Sequence, residues 1–455
     1  MSENETFKKH YVAVIGGSIA GSEAANLLAE SGFKVVVFEM NKLPYGKIED
    51  GLPNWHVNLR DRQIKEIDRK LAHPNITFVP NTKIGKDIQF LDLLNNWGFS
   101  AIIIANGAWC DRRLTIPAIE QFLDKELVYQ NPFIYWFNHK HEHDYNGHNY
   151  FLRDNTVVIG GGLASLDVVK IVMIELVKKQ LYLDKGIDVD LFTLEKEGIP
   201  KVLAAHGITF EELNIGKAKL VYRRTAKYMP LKSPKDHTKE SIEAAQKVSE
   251  KLLNKYLEKY AFEFIPLAIP VGFKEENGKL VAVVFQNVSL ESGRIIPVEN
   301  SFFELETAML IASIGSVPEQ ISGLNYEWGT LKMKEPEGYR VAGFNNVFAV
   351  GNAVTGRGNI QESKKHGKQM TEKIIDEHLT NDALENWLTN FNSQIINDVD
   401  DQVLTISKQI SKQQIQPIAS IESMLQKVAE IHKNNNYTTY QNWVEKNIPI
   451  RLEQL

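Results

Sequence analysis

A single cysteine, Cys110, stands in 455 residues. One thiol makes no internal disulfide, no Cys-x-x-Cys redox pair and no cysteine-ligated iron–sulfur cluster within the chain. Long apolar runs are missing too: none reaches the ~20 residues that cross a bilayer. So is a strong charge of one sign. A net charge of −5 and a pI near 6.2 exclude a general nucleic-acid binder. The first ten residues are polar and charged with no apolar centre, so no secretory signal is expected, and a cytoplasmic location is. What is present is an ordinary globular mixture, 43% hydrophobic and 24% charged. The length suits two or three domains with ample cores.

Two stretches share one design. In the first, Tyr11-Val12-Ala13-Val14-Ile15 reads as a buried strand, followed by Gly16-Gly17-Ser18-Ile19-Ala20-Gly21 and a helix of small residues. A second strand over residues 34–38 then meets Glu39 and Met40. Glu39 follows Gly16 by 23 positions, near the ~20 expected for an acid that binds a ribose 2′-hydroxyl. Ser18 replaces the usual middle glycine, which narrows the room for phosphates without closing it. In the second stretch, Val157-Val158-Ile159 precedes Gly160-Gly161-Gly162 and a helix opening Leu163-Ala164-Ser165. Gly160 permits the tight turn, and Gly162 lets a pyrophosphate approach backbone N–H groups at the positive end of a helix dipole. Ser165 is small enough for helix and strand to pack closely. Two such units predict an α/β protein with two Rossmann-type nucleotide-binding domains.

The cofactor of the second unit depends on where its second strand ends. Residues 188–194 followed by Glu195 would offer an acid to a ribose hydroxyl; residues 218–222 followed by Arg223 and Arg224 would offer two guanidinium forks to a 2′-phosphate. Both spacings require an insertion, and the residues alone leave the choice open. Further along, residues 131–150 hold Phe133, Tyr135, Trp136 and Phe137 with His139, His141, His143 and His148. No cysteine joins these histidines, so no metal site is expected, and the aromatics should pack the connector against a domain. Residues 241–260 read as an amphipathic helix with Ile242, Ala245, Val248, Leu252 and Tyr256 on its apolar stripe. Lys247, Lys251, Lys255 and Lys259 fall on one edge, either a solvated face or a docking face for an acidic partner. No Ser–His–Asp set is apparent and no catalytic side chain is expected.

The order Val-Ile-Gly-Gly-x-x-Ala-Gly, then Pro44-Tyr45-Gly46, then Pro53-x-x-His56, then Ala105-Asn106-Gly107-Ala108, resembles FAD-dependent NADPH oxidoreductases of the adrenodoxin reductase and glutamate synthase small-subunit type. The resemblance implies a discontinuous FAD domain (residues 1–130 and 335–381), an inserted NADPH domain (151–330) and a helical extension (382–455). It puts Tyr45, Gly46 and His56 along the flavin, Asn106 and Gly107 at the exit from the FAD domain, and Arg223-Arg224 on the phosphate of NADPH. Gly351 and Asn352 match the return strand, with Asn352 where an Asp is common. Gly358, Asn359 and Ile360 would lead a helix toward the flavin. The activity implied is hydride uptake from NADPH onto FAD, with electrons passed to a small ferredoxin or flavodoxin. An FAD-dependent monooxygenase and a redox-silent assembly subunit are the alternatives. The cluster-binding segment of glutamate synthase subunits is absent, and the extension could pack on the FAD domain or form dimers.

Overall fold

The computed structural model describes residues 9–234, 236, 238–327, 329–334, 339–355 and 381–455. The chain opens with Tyr11–Ile15 (β1), Ile19–Glu30 (α1), Lys34–Phe38 (β2), Val57–Leu71 (α2), Ile76–Val79 (β3) and Ala101–Ile104 (β4). β1 lies between β2 and β4, with β3 outside β2. Val347–Ala349, more than two hundred residues later, closes the other edge beside β4. All pairings are parallel. Every residue of β1 and of β4 is buried, as expected of strands covered on both faces.

A second parallel sheet is built from Leu127–Tyr129, Val157–Gly160, Lys219–Tyr222, Glu263–Pro266 and Leu310–Ser313, with Leu310–Ser313 and Val157–Gly160 central. Leu127–Tyr129 falls inside the expected first-domain span of 1–130, yet it pairs with Leu310–Ala312 of the second sheet; the change of domain therefore comes earlier, near residue 110. There the outgoing Cys110–Asp111 and the returning Ser316–Val317 pair antiparallel, a two-stranded ribbon joining the domains. A three-stranded antiparallel sheet, Ala268–Glu276, Lys279–Glu291 and Arg294–Glu306, packs Leu280, Val283 and Phe285 on the core of the second domain.

The connector contains the helix Gln130–His139. Phe133, Trp136 and Phe137 are buried, as the aromatic content required, while Tyr135 is 41% exposed. The helix Lys239–Tyr260 forms as the periodicity predicts, but its buried face is Ala245, Ser249, Leu253, Tyr256 and Tyr260. That face is turned by about one position from the expected stripe, because two tyrosines outweigh Val248 and Leu252 in the area they remove from water.

The C-terminal helices Asn381–Ile410, Ile418–Asn434 and Tyr440–Asn447 answer the question left by the extension. They wrap the first domain. Val399, Val403, Ile406, Ile410, Tyr440 and Trp443 pack on one face of its sheet. Ile421, Met424 and Val428 pack on the other.

Candidate functional site

At the C-terminal end of β1 the chain turns at Gly16, whose φ is +97°; a Cβ there would meet the Ala105 carbonyl oxygen at 2.7 Å. The first turn is thus pressed against the end of β4. Gly21 lies over Gly16 so closely that a side chain would collide with the Gly16 carbonyl, the close helix–strand packing expected of this position. Ser18 precedes α1 but does not cap it. Its hydroxyl donates instead to the Tyr45 carbonyl at 3.0 Å. The first N–H groups of α1 remain available to a phosphate, and the 44–46 loop is tied to the turn that would hold it.

Glu39 closes this half. It is buried, accepting the Gly17 N–H at 2.8 Å and the Asn41 N–H at 3.0 Å. Burial pushes its carboxyl up to about 7, against those two backbone bonds. Met40 beside it is half-buried. Gly46, with φ +49°, starts the one-turn helix Lys47–Asp50. The Tyr45 side chain does not reach a ligand site: it is fully buried, and its hydroxyl donates to Asp68 at 3.1 Å, as does that of Tyr440 at 2.7 Å. Gly351, with φ +63°, faces the Ala20 methyl, so the return strand meets the N-terminus of α1, and Asn352 follows, half-buried, in the short helix Asn352–Thr355. Gly358, Asn359 and Ile360 lie outside the described residues.

The second turn repeats the first. Gly160 packs against Ser165, whose Cβ would lie 2.6 Å from a Cβ on that glycine. Ser165 is fully buried and its hydroxyl donates to the Gly162 carbonyl at 2.6 Å. A Cβ on Gly162 would meet nothing within 4 Å, so this backbone is open to a ligand. The helix Leu163–Lys185 starts here without a side-chain cap; Leu163 is buried and Ala164 half-buried.

The choice between the two strand ends is resolved by the fold. Residues 188–194 do not form a strand: Leu191–Glu197 is a helix, capped by Asp190 through the Thr193 N–H at 2.9 Å. Glu195 is buried on it and accepts from Lys170 Nζ at 2.6 Å, so its carboxylate is taken up by a buried ion pair. The strand beside Val157–Gly160 is Lys219–Tyr222. It delivers Arg223, exposed, and Arg224, half-buried, to the end of the sheet where Tyr222 covers Gly161.

Between the two turns lies a junction that the motifs only partly anticipated. His56 is buried, with Nε2 accepting from the Trp55 indole N–H at 3.2 Å and lying 3.9 Å from Asp167 Oδ1. A neutral ring that accepts at Nε2 carries its proton on Nδ1. That Nδ1 is buried without a partner, as are Asp167 Oδ1 and Asn106 Oδ1. Asn106 donates its amide to the Glu319 carbonyl at 3.4 Å, and Gly107 turns the chain with φ +66°. Trp55, from the loop of the first domain, is part of the core of the second. Lys170 lies 4.1 Å from its ring and 4.9 Å from that of Tyr260. Asp167, Trp55 and Lys170 went unrecognised in the sequence. The available signal was an acid and a cation three residues apart in the otherwise apolar first half of the helix Leu163–Lys185.

Of the connector histidines, His139 and His141 bond to neighbouring protein groups. His139 bonds Glu142 at 2.7 Å and Asp50 at 3.2 Å; burial opposes its charge, but the two carboxylates outweigh this and raise it to about 9. His141 contacts the Ile450 carbonyl at 3.2 Å, and no cluster able to hold a metal occurs among the described residues. No helix among the described residues is long and apolar enough to cross a membrane.

Fold and site together define a protein of two Rossmann-type domains, the second inserted in the first, each with a glycine turn at a strand end and with His56 of one facing Asp167 of the other. Residues 10–176, a little over a third of the chain, match the pyridine nucleotide-disulphide oxidoreductase family model. A probable ferredoxin/ferredoxin--NADP reductase of Mycobacterium bovis is 34% identical over 165 residues, 35% of this chain and 27% of that protein. The glutamate synthase [NADPH] small chain of Azospirillum brasilense is 23% identical over 386 residues, 80% of this chain and 65% of that protein. The chain therefore spans about a quarter of the length of the first of these relatives. Among solved structures, the Mycobacterium tuberculosis oxidoreductase FprA superposes with a TM-score of 0.68 at 19% identity, covering 93% of this chain and 91% of that one. The resemblance read from the motifs is borne out by these matches.

Proposed function

We propose that the protein is an NADPH-dependent flavoprotein oxidoreductase that holds FAD in the first domain and NADPH in the second. The observation that carries this is a glycine turn at the end of each sheet, one packed beside Glu39 and the other open at Gly162 and beside Arg223 and Arg224, with His56 of the first domain facing Asp167 of the second. The residues fit the two groups. Gly162 leaves space at a helix start, and the orphaned atoms of Asn106, His56, Asp167 and Arg224 are the groups a bound ligand would satisfy. The cofactors supply hydride transfer. The chain binds, orients and excludes water. The α1 N–H groups, Glu39, Ser18, Ala20 and Gly21 would hold the adenosine diphosphate half of FAD. Gly46, Asn106, Gly107, Gly351 and Asn352 would line its path. Gly160, Gly162, Leu163, Ala164 and Ser165 would meet the NADPH pyrophosphate. His56 would keep a proton on Nδ1, facing the junction.

In FprA a complex with NADPH has been solved, which supports the same nucleotide here. The electron acceptor is proposed to be a small acidic ferredoxin or flavodoxin, a reading supported by the name of the M. bovis relative and by the exposed Lys247 and Lys251. The test is the absorbance spectrum of purified protein before and after anaerobic NADPH. A flavin spectrum that bleaches is expected. Protein that binds no FAD removes the proposal, and bound FAD that NADPH leaves unbleached favours an assembly subunit.

A further inference from the structure

The turn after Lys219–Tyr222 contains more than two arginines. Arg224 Nε and the Thr225 hydroxyl are neighbours in sequence, and both are buried with no hydrogen-bond partner. Among the described residues neither Arg223 nor Arg224 forms an ion pair. Thr225 has the backbone of a helix-capping residue, φ −78° and ψ 166°, yet its hydroxyl accepts nothing from the following N–H groups. An unpaired buried donor is a cost to the fold, and such atoms persist where a ligand completes them. The turn that holds them is braced: the Tyr222 hydroxyl donates to the Tyr228 carbonyl at 3.0 Å, and the Tyr228 N–H donates to the Thr225 carbonyl at 3.0 Å. Tyr222 also covers Gly161 of the glycine turn. The two orphaned donors are thereby fixed beside the turn proposed to hold the pyrophosphate.

We infer that Thr225 is a specificity residue for the nucleotide: its hydroxyl donates to the 2′-phosphate that Arg223 and Arg224 pair with. The inference rests on the NADPH reading given above. A hydroxyl donor has a role that a third cation would not. It adds a short directional bond to one phosphate oxygen, and it cannot draw the charged ligand from a distance. It therefore sharpens the distinction between phosphorylated and plain ribose.

The experiment measures binding of 2′,5′-ADP and of 5′-ADP, which lacks the 2′-phosphate, to the FAD-loaded protein by calorimetry. Wild type is expected to favour 2′,5′-ADP. Thr225→Val, nearly isosteric, should weaken 2′,5′-ADP about 10–100-fold, the value of one hydrogen bond to a charged group, and leave 5′-ADP unchanged. Thr225→Ser should restore wild-type affinity, and Arg224→Ala should lose more than Thr225→Val. If Thr225→Val binds 2′,5′-ADP as wild type does while Arg224→Ala does not, the inference about Thr225 is overturned and the NADPH reading stands. Equal weakening of both ligands makes Thr225 a structural residue and also overturns it. A wild type that binds the two ligands equally overturns the NADPH reading, and the inference with it.

Discussion

At the scale of residues, Glu39 has the clearest pH consequence. Its carboxyl, raised by burial to about 7, titrates near neutrality. In the cofactor-free protein the raised value means the folded state holds this proton more tightly than the unfolded chain. Stability from this group is then full below the ordinary carboxyl value and falls as pH rises through about 7. Ribose hydroxyls donate to the ionised form, so FAD affinity should run the other way. We expect the FAD dissociation constant, read from quenching of flavin fluorescence, to rise as pH falls from about 8 to 6, and Glu39→Gln to flatten that dependence. A second residue-scale expectation concerns Lys170. Removing a buried partner leaves an uncompensated charge, so Lys170→Met should destabilise the second domain by about 3–5 kcal/mol in urea unfolding. Lys170→Met combined with Glu195→Gln should recover part of that loss.

At the scale of elements, the helix Lys239–Tyr260 presents a narrower basic edge than its spacing implied. Lys247 and Lys251 are exposed, whereas Lys255 and Lys259 are half-buried, and Lys259 Nζ sits 5.3 Å from the Tyr260 ring. Burial lowers both of the half-buried amines. Reversing charge at Lys247 and Lys251 should therefore slow electron transfer to an acidic protein acceptor at low salt, and the effect should fade as the Debye length shrinks from ~10 Å at 0.1 M to ~3 Å at 1 M. Turnover with ferricyanide should not change. Unaltered rates with the protein acceptor would make this edge an ordinary solvated face. The same helix shows what was legible in the sequence. Existence, amphipathicity and lysine spacing were all readable, because they depend on local periodicity. The rotation of its face was not, because it follows from where Tyr256 and Tyr260 find partners at Lys170 and Glu195. Likewise both glycine turns could be read from strand, turn and helix order. The helix Leu191–Glu197 could not, since its apolar residues fit either period until Asp190 caps it.

At the scale of the whole molecule, the three C-terminal helices act as a shell for the first sheet. Trp443 donates its indole N–H to the Lys42 carbonyl at 2.7 Å, close to Glu39, and packs in the same core as β1 and β2. Trp443→Ala should cost about 3–5 kcal/mol, as large-to-small changes in cores do. We expect the loss to appear as faster hydrogen exchange in residues 11–38, with little change in the second domain. Exchange that rises equally in both domains would mean that they unfold as one unit. The helical character of this shell was legible in the sequence, and packing on the first domain was one of the two alternatives it left open. A helix stripe announces that it will be covered but does not name its partner.

The last residues described reach further still. Arg451 pairs with Glu49, Glu453 pairs with Arg60, and Leu452 packs on the core of the second domain. Strand Val347–Ala349 and the helical shell are made long after β1–β4 emerge from the ribosome. The second domain is contiguous and can close its core early. The first must wait, half-formed, with Val399, Val403 and Trp443 still to be synthesised. Order of manufacture thus runs against order of sequence: the inserted domain is finished first, and the domain that begins the chain is completed last.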